Sequence, residues 1–454
     1  MRRVLPWVLI WLCLLSRVSP AGERVFSLRE CLRLALSRYP ALKAALARVR
    51  ASEEREKAAF REHLPRLYTG YDYRLYRDRE TLTTPLGSYP IRGREEALFT
   101  VTVKLPVFHG LSISIRHHLR KLEVNLSRIE EIRTRQELIF RVKEAYFRLV
   151  QAEREVELAR KSLERRRAHL RDVQGFFRQG LVARNQVLQS QAEVQEAEYR
   201  LLSAENRLRI AASRLNLLLQ RPLSAPIRVK PEFPLEPVNL TYDQLLRMAL
   251  SHRPEVKSAV LAVKLKEKEL GLARSRYFPW LDLQAQYYVR GDRADLSENP
   301  YGDRENLWVG FSLRWEIWDW GIRAREMAAV RAEILSRQAL LREIRDRVGL
   351  EVREAYLKLL AARKKIQVAR SALAAARENF RLNRARFREG LADTTEVMDA
   401  ETLLTRAQTQ EIAALADYEI SRARLAYAVG LPDLPRGSTA PPPDHPHAEK
   451  TQAQ

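Results

Sequence analysis

Glu144-Ala145-Tyr146 returns as Glu354-Ala355-Tyr356, and Phe177-Arg178-Gln179-Gly180-Leu181 returns as Phe387-Arg388-Glu389-Gly390-Leu391, each 210 residues further on. Upstream, Ala35-Leu36-Ser37 before Pro40 and Ala249-Leu250-Ser251 before Pro254 stand in the same relation at a displacement of 214, as do Leu64-Pro65 and Phe278-Pro279. A chain written twice must fold as two copies of one unit. The four-residue difference falls between 65 and 144, which predicts a longer hairpin loop in the first copy, because loops tolerate length changes. The copies occupy residues 22–219 and 240–431. The linker between them, 220–239, carries Pro222, Pro226, Pro231, Pro234 and Pro237, a density that excludes helix. Residues 432–454, rich in Pro, Gly and Ser, read as a disordered tail.

Within each copy the order of patterns is helix, β-hairpin, very long helix, return helix. Leu138, Val142, Ala145, Leu149, Ala152, Val156, Ala159 and Leu163 alternate steps of four and three. Val348, Val352, Ala355, Leu359, Ala362, Ile366, Ala369 and Leu373 do the same in the second copy. Steps averaging three and a half define a coiled-coil seam. With no proline inside it, the helix predicted from about Leu111 to Phe177 would run roughly 100 Å at 1.5 Å per residue. No compact globule accommodates that length. Past Gly180 the pattern resumes at Val187, Val194, Leu201, Leu208 and Leu215, so the chain turns and runs back, with Gly180-Leu181 and Gly390-Leu391 at the two tips.

Between the opening helix and the long one, the period changes to two. Leu67, Thr69, Tyr71, Tyr73 and Leu75 alternate with polar residues, as do Phe99, Val101, Val103, Leu105 and Val107. The second copy supplies Leu281, Leu283, Ala285, Tyr287 and Val289, then Val309, Phe311, Leu313, Trp315 and Ile317. Strands of roughly ten residues with one apolar side match outer-membrane barrel strands around a wet lumen. Tyr68, Tyr76, Trp280, Trp308 and Trp318 near the strand ends match an interfacial girdle. The residues expected to mark the membrane strands are Tyr71, Tyr73, Val101, Val103, Leu283, Tyr287, Phe311 and Trp315. A soluble sheet with one packed face gives the same alternation. Four strands cannot close a barrel, and open edges are not tolerated in hydrocarbon, so the membrane reading requires several chains.

The chain opens with Met1-Arg2-Arg3, an apolar run from Val4 to Leu15, and Ser19-Pro20-Ala21, which reads as a secretory signal over 1–21. Its apolar run, about twelve residues, is shorter than the roughly twenty a spanning helix needs. Cleavage near Ala21 removes Cys13 and leaves Cys31 as the one thiol, so packing and not a disulfide must stabilise the fold. The formal net charge is +23. Arg and Lys are interleaved with Glu, as in Arg160 to Arg171, the pattern of solvated helix faces and not of a nucleic-acid patch.

This arrangement resembles the TolC family of outer-membrane factors over nearly the whole mature chain. The resemblance rests on the Leu-rich openings with Pro40 and Pro254. It also rests on Pro106-Val107-Phe108-His109-Gly110 and Ile317-Trp318-Asp319-Trp320-Gly321 at the strand ends, and on the tip Gly390-Leu391-Ala392-Asp393-Thr394-Thr395-Glu396-Val397-Met398-Asp399-Ala400. It implies a mainly α fold with a membrane β-barrel portion: a trimeric α-helical barrel of twelve helices beneath a shared twelve-stranded barrel, four strands from each protomer. It further implies an exit duct in outer-membrane lipid with a long periplasmic portion. The partners would be a periplasmic adaptor (membrane fusion) protein and an inner-membrane pump of RND or ABC type, in a tripartite efflux or type I secretion system. The family's periplasmic gate falls on Glu396 and Asp399, which a spacing of three puts on one helix face; the first copy has Gln186 and Gln189 there. Ala392 stands where some relatives place a basic gate-bonding residue. Adaptor contact would fall on the tips, at Arg178, Gly180, Leu181, Gly390 and Leu391, which read equally as helix-hairpin turns.

His117-His118 and His445/His447, the close histidine pairs, lack a Cys or carboxylate at metal-ligand spacing, and no phosphate-binding glycine loop or nucleophile elbow is present. No catalytic residue, cofactor, metal or nucleic-acid partner is expected. The alternative reading is a soluble periplasmic coiled-coil scaffold without a pore, extractable without detergent.

Overall fold

A computed structural model describes residues 25–435 except Glu298, Tyr301 and Gly390. The expected signal segment, the tail from 436 onward and the tip residue Gly390 lie outside the described residues. In chain order the elements are β1 (Val25–Phe26), α1 (Leu28–Arg38), α2 (Pro40–Arg61), β2 (Arg66–Leu75), β3 (Glu80–Thr84), β4 (Gly87–Arg92), β5 (Glu95–His109), α3 (Ser112–Arg178) and α4 (Arg184–Leu218). The linker then holds β6 (Arg228–Val229), and the second copy repeats the order, without counterparts of β3 and β4, as α5 (Tyr242–His252), α6 (Pro254–Ser275), β7 (Trp280–Gly291), β8 (Glu305–Arg314), α7 (Ile322–Arg388) and α8 (Thr394–Val429). Both long helices, α3 and α7, have 67 residues.

The opening of each copy is two helices where the sequence predicted one. Tyr39 and Arg253, each followed by proline, have extended backbone (ψ 123° and 126°), because the proline ring clashes with a helical predecessor. Each copy starts at a capping box. Glu30 N–H donates to Ser27 Oγ while Ser27 N–H donates to Glu30, and Thr241 with Gln244 repeats this 214 residues later. These reciprocal bonds satisfy amides that have no intrahelical partner.

The chain divides into two compact units. The first comprises residues up to 43, 134–253 and from 347 onward. All eight seam residues from Val348 to Leu373 are buried here, as are six of those from Leu138 to Leu163, with Ala145 and Ala159 half-buried. Leu163 of α3 packs on Val194 and Ala197 of α4, and Leu373 of α7 on Leu404 and Ala407 of α8. One hydrophobic core joins α1, α3 and α4 through Cys31, Ala35, Val142, Tyr146, Leu149 and Leu215. The proline-rich linker contributes β6, which pairs in parallel with β1, and is strapped to the helices. Tyr146 Oη donates to Lys230 O (3.2 Å), Tyr418 Oη to Glu236 O (2.8 Å), and Leu235 N–H to the buried Glu419 (2.6 Å).

The second unit, residues 44–133 and 254–346, holds a four-stranded sheet of order β2-β5-β7-β8 with antiparallel neighbours. The rows Leu67–Val103–Ala285–Val309 and Thr69–Val101–Tyr287–Leu307 run across all four strands. Paired residues share a face, so the predicted alternation becomes one continuous apolar side. The other side carries Lys104, Gln284, Gln286, Asp282 and Ser312. Between Pro106 and Phe108 the register shifts and Val107 is the extra residue. Proline cannot donate to the ladder, so within a sheet it sits at such a bulge. The shift sets His109 beside Trp280 and within 2.8 Å of Asp282, which Lys104 also meets at 2.9 Å. Contrary to the sequence expectation, β8 ends at Arg314 and Trp315 lies one residue past it. Arg314 already faces Trp280, the first residue of β7, so no partner strand remains. Trp315 Nε1–H donates instead to Tyr277 O (3.1 Å). The first copy's loop holds the additional β3-β4 hairpin, where the length difference was expected.

Candidate functional site

The two helix hairpins end alike. In the first, Gly180 N–H bonds Phe177 O (3.0 Å) and Leu181 N–H bonds Phe176 O (3.0 Å), with Gly180 at φ 75°. This pair of bonds closes a helix on a left-handed glycine. In the second, Leu391 N–H bonds Arg386 O (2.8 Å). Such a turn commonly seats the residue after glycine on its own helix, yet Leu181 and Leu391 are 68% and 64% exposed. Each is a largely exposed apolar knob at its tip. Arg178 is exposed beside Leu181, with Nε–H donating to Gln174 O (3.4 Å).

The return helices begin differently. Asp393 caps α8 by accepting from Glu396 N–H (3.0 Å), while Ala183 leaves α4 without a side-chain cap. Glu396 and Asp399 both lie on the exposed face of α8, beside buried Val397, Met398 and Ala400. Arg386, from the last turn of α7, reaches Glu396 Oε2 (3.3 Å) and Leu391 O (3.1 Å). It holds the tip together from within one chain. Asp399 makes no ion pair with another described residue. Opposite, Thr394 Oγ1 meets Gln186 Oε1 (3.3 Å), so the first residue of α8 is tied to α4.

About three turns above the tips the packing becomes ionic. Glu401 of α8 and Arg166 of α3 are each only 2% exposed. Glu401 Oε1 accepts from Arg165 Nε–H (3.1 Å) and Ser162 Oγ–H (3.2 Å), and Arg166 Nε stands 4.0 Å from its other oxygen. Arg166 also pairs with Glu193 of α4 and donates to Thr402 Oγ1 (3.3 Å). Burial lowers the pKa of Arg166 and of His169 one turn below. The sequence reading of Arg160 to Arg171 as solvated fits Arg160, Lys161, Glu164, Arg167 and Arg171, which are exposed, and is corrected at Arg166. A buried arginine needs a carboxylate partner, and Glu401 lies 235 residues from Arg166 along the chain.

The expected strand residues divide in the same plain way. Tyr71, Tyr73, Val101, Val103, Leu283, Tyr287 and Phe311 fall on strands and on the common apolar face; Trp315 does not fall on a strand. That face is exposed along both outer strands, at Leu67, Tyr71, Leu75, Leu307, Val309, Phe311 and Leu313. The outer edges of β2 and β8 have no neighbouring strand in the sheet. In the helical unit, α4 likewise exposes Leu188, Tyr199, Leu202, Ile210 and Leu217, and α7 exposes Leu350, Leu357, Val368 and Leu382. Among the described residues no helix is long and apolar enough to cross a membrane, and no His, Cys, Asp and Glu group could hold a metal.

A sequence profile described as outer membrane efflux protein matches residues 31–220 and 245–431. Protein CyaE of Bordetella pertussis (strain Tohama I) is 26% identical over 187 residues, 41% of this chain. The matched stretch spans 39% of that curated relative's length. The fold is shared with the outer membrane protein VceC of Vibrio cholerae (TM-score 0.76, 17% identity, 89% of this chain and 96% of that one). It is shared also with the Campylobacter jejuni CmeC outer membrane channel (TM-score 0.75, 15% identity, 89% and 85%). The Neisseria gonorrhoeae MtrE outer membrane channel, solved in an open state, gives a TM-score of 0.72 at 17% identity over 89% of each chain. These folds combine an α-helical tunnel with a β-barrel.

Proposed function

The chain belongs to the outer membrane efflux protein family, and from that premise we propose that three copies close a passive exit duct across the outer membrane. The family and its structural neighbours are channels, not enzymes. The observation that carries the proposal is a double incompleteness. The sheet has two unpaired edges and an exposed apolar face, and two long helices, α4 and α7, expose apolar residues along their free sides. A sheet edge in hydrocarbon leaves backbone groups unsatisfied. Pairing β8 of one copy with β2 of the next removes every edge, and four strands from each of three copies make a barrel of about twelve, within the range of membrane barrels. The apolar face then meets lipid, and the side with Lys104, Gln284 and Gln286 lines a wet lumen. Tyr71, Tyr73, Val101, Val103, Leu283, Tyr287 and Phe311 mark the membrane strands.

The helices form the periplasmic tunnel, and cargo enters at the tips from an inner-membrane pump of RND or ABC type through a periplasmic adaptor. Leu181 and Leu391, exposed beside Arg178 and the glycines Gly180 and Gly390, are the adaptor contacts. Glu396 and Asp399 form the gate. Three copies of each stack two carboxylate rings, which attract cations, with Arg386 offsetting the Glu396 ring. The chain's part is conduction alone, and energy comes from the pump. The test is the oligomeric mass of the mature protein after detergent extraction. A trimer that needs detergent supports the duct. A monomer released in buffer alone refutes it and favours the soluble scaffold.

A further inference from the structure

Where α3, α7 and α8 converge above the tips, a small cavity is lined by Arg165, His169 and Asp172 of α3, Arg384 and Arg388 of α7, and Glu401 of α8. Its free volume is about 20 Å³, where about 10–15 Å³ suffices for one water-sized sphere. Two polar atoms of its lining residues, Arg165 Nη2 and His169 Nε2, are buried with no hydrogen-bond partner. His169 is only 8% exposed, its ring packed 4.9 Å from that of Phe387. A buried donor left unsatisfied costs about 1–3 kcal/mol, so two among the residues lining one cavity call for an occupant.

The charges select the occupant. Glu401 is already shared between Arg165 and Arg166. Arg384 and Arg388 make no ion pair with another described residue, and Asp172 is the one further carboxylate on the wall. Arg384 and Arg388 are exposed and screened by solvent, but the lining still carries three guanidiniums, of Arg165, Arg384 and Arg388, against the two carboxylates of Asp172 and Glu401, a balance that favours an anion over a water molecule at the two unpartnered atoms. We propose that this cavity binds one small monovalent inorganic anion, chloride under ordinary conditions, which accepts hydrogen bonds from Arg165 Nη2–H and from the Nε2–H tautomer of His169. Bound there, the ion ties the long helix of the first copy to both tip helices of the second. The site is complete within one chain.

The first experiment is a bromide soak of crystals of the full mature protein, read by anomalous diffraction. A peak between Arg165 Nη2 and His169 Nε2 is expected. Density of water strength at that point, with bromide peaks only elsewhere on the protein, overturns the proposal. The second is thermal melting of the detergent-extracted protein in sodium chloride against sodium gluconate at equal ionic strength, since gluconate is too large to enter. A saturable rise in Tm with chloride is expected in the native protein and its loss in His169→Phe or Arg165→Met. Equal Tm in both salts for the native protein overturns the site, and that comparison does not depend on either variant folding.

Discussion

Replacing Val309 by lysine separates a lipid-facing sheet from a water-facing one. Val309 stands mid-strand in β8, in the row Leu67–Val103–Ala285–Val309 at the centre of the apolar face, and is 67% exposed in the single chain. If that face met water, an exposed valine-to-lysine change away from other features would stay within about 0.5 kcal/mol. If it meets hydrocarbon near the bilayer midplane, each lysine costs about 2–4 kcal/mol, roughly a 30- to 700-fold shift in the folding equilibrium for each chain at about 1.4 kcal/mol per tenfold. The matched control is Ser312→Lys, exposed on the opposite side of the same strand, where a lysine meets water. The assay is assembly into lipid vesicles, followed by the amount of heat-modifiable oligomer on a gel. Val309→Lys should abolish or sharply reduce it, and Ser312→Lys should leave it near the native level. Equal yields from the two variants would refute the assignment of the faces.

Leu149 is fully buried between α3 and α4 with Val142 and Leu215. Leu149→Ala should cost about 2–5 kcal/mol, seen as lost amide-exchange protection around residues 142–156. Burial holds the pKa of His169 below its usual 6.5, so the unfolded chain binds the proton more readily than the folded one. Its contribution is therefore complete above about pH 6.5 and is lost as the pH falls from there toward the folded value. Arg165, Arg166, Asp172, Arg384, Arg388 and Glu401 share its surroundings. Melting curves between pH 5 and 8 should show an acid loss in the native protein that His169→Gln flattens. Glu396→Gln combined with Asp399→Asn should lower cation preference or raise conductance in planar bilayers; unchanged current and selectivity would remove both residues from the gate.

What the sequence made legible was whatever repeats with a period. Eight seam positions from Val348 to Leu373 are all buried, because steps of four and three over that length leave a helix one way to hide them. The strand alternation came through as one apolar face for the same reason. Features that depend on a single residue were less visible. Pro40 and Pro254 break their opening helices, Pro106 sits at a bulge that redirects His109, and the two-residue pair β1-β6 is too short to carry a pattern. The ionic core around Arg166 and Glu401 was invisible. A buried arginine on a charged helix has the same local sequence as a solvated one, and its partners Glu193 and Glu401 sit on two other helices, one of them from the other copy. The matching capping boxes at Ser27 and Thr241 were a readable signal, since Ser/Thr followed three residues later by Glu/Gln marks a helix start.

The central claim, that several copies of this chain enclose a continuous water-filled path through a membrane, is tested most directly by single-channel recording of the mature, detergent-extracted protein in a planar bilayer. The account predicts discrete, cation-favouring current steps from preparations whose mass is that of a trimer. Trimers that insert and yet carry no current, or currents that appear only with monomer, would contradict it.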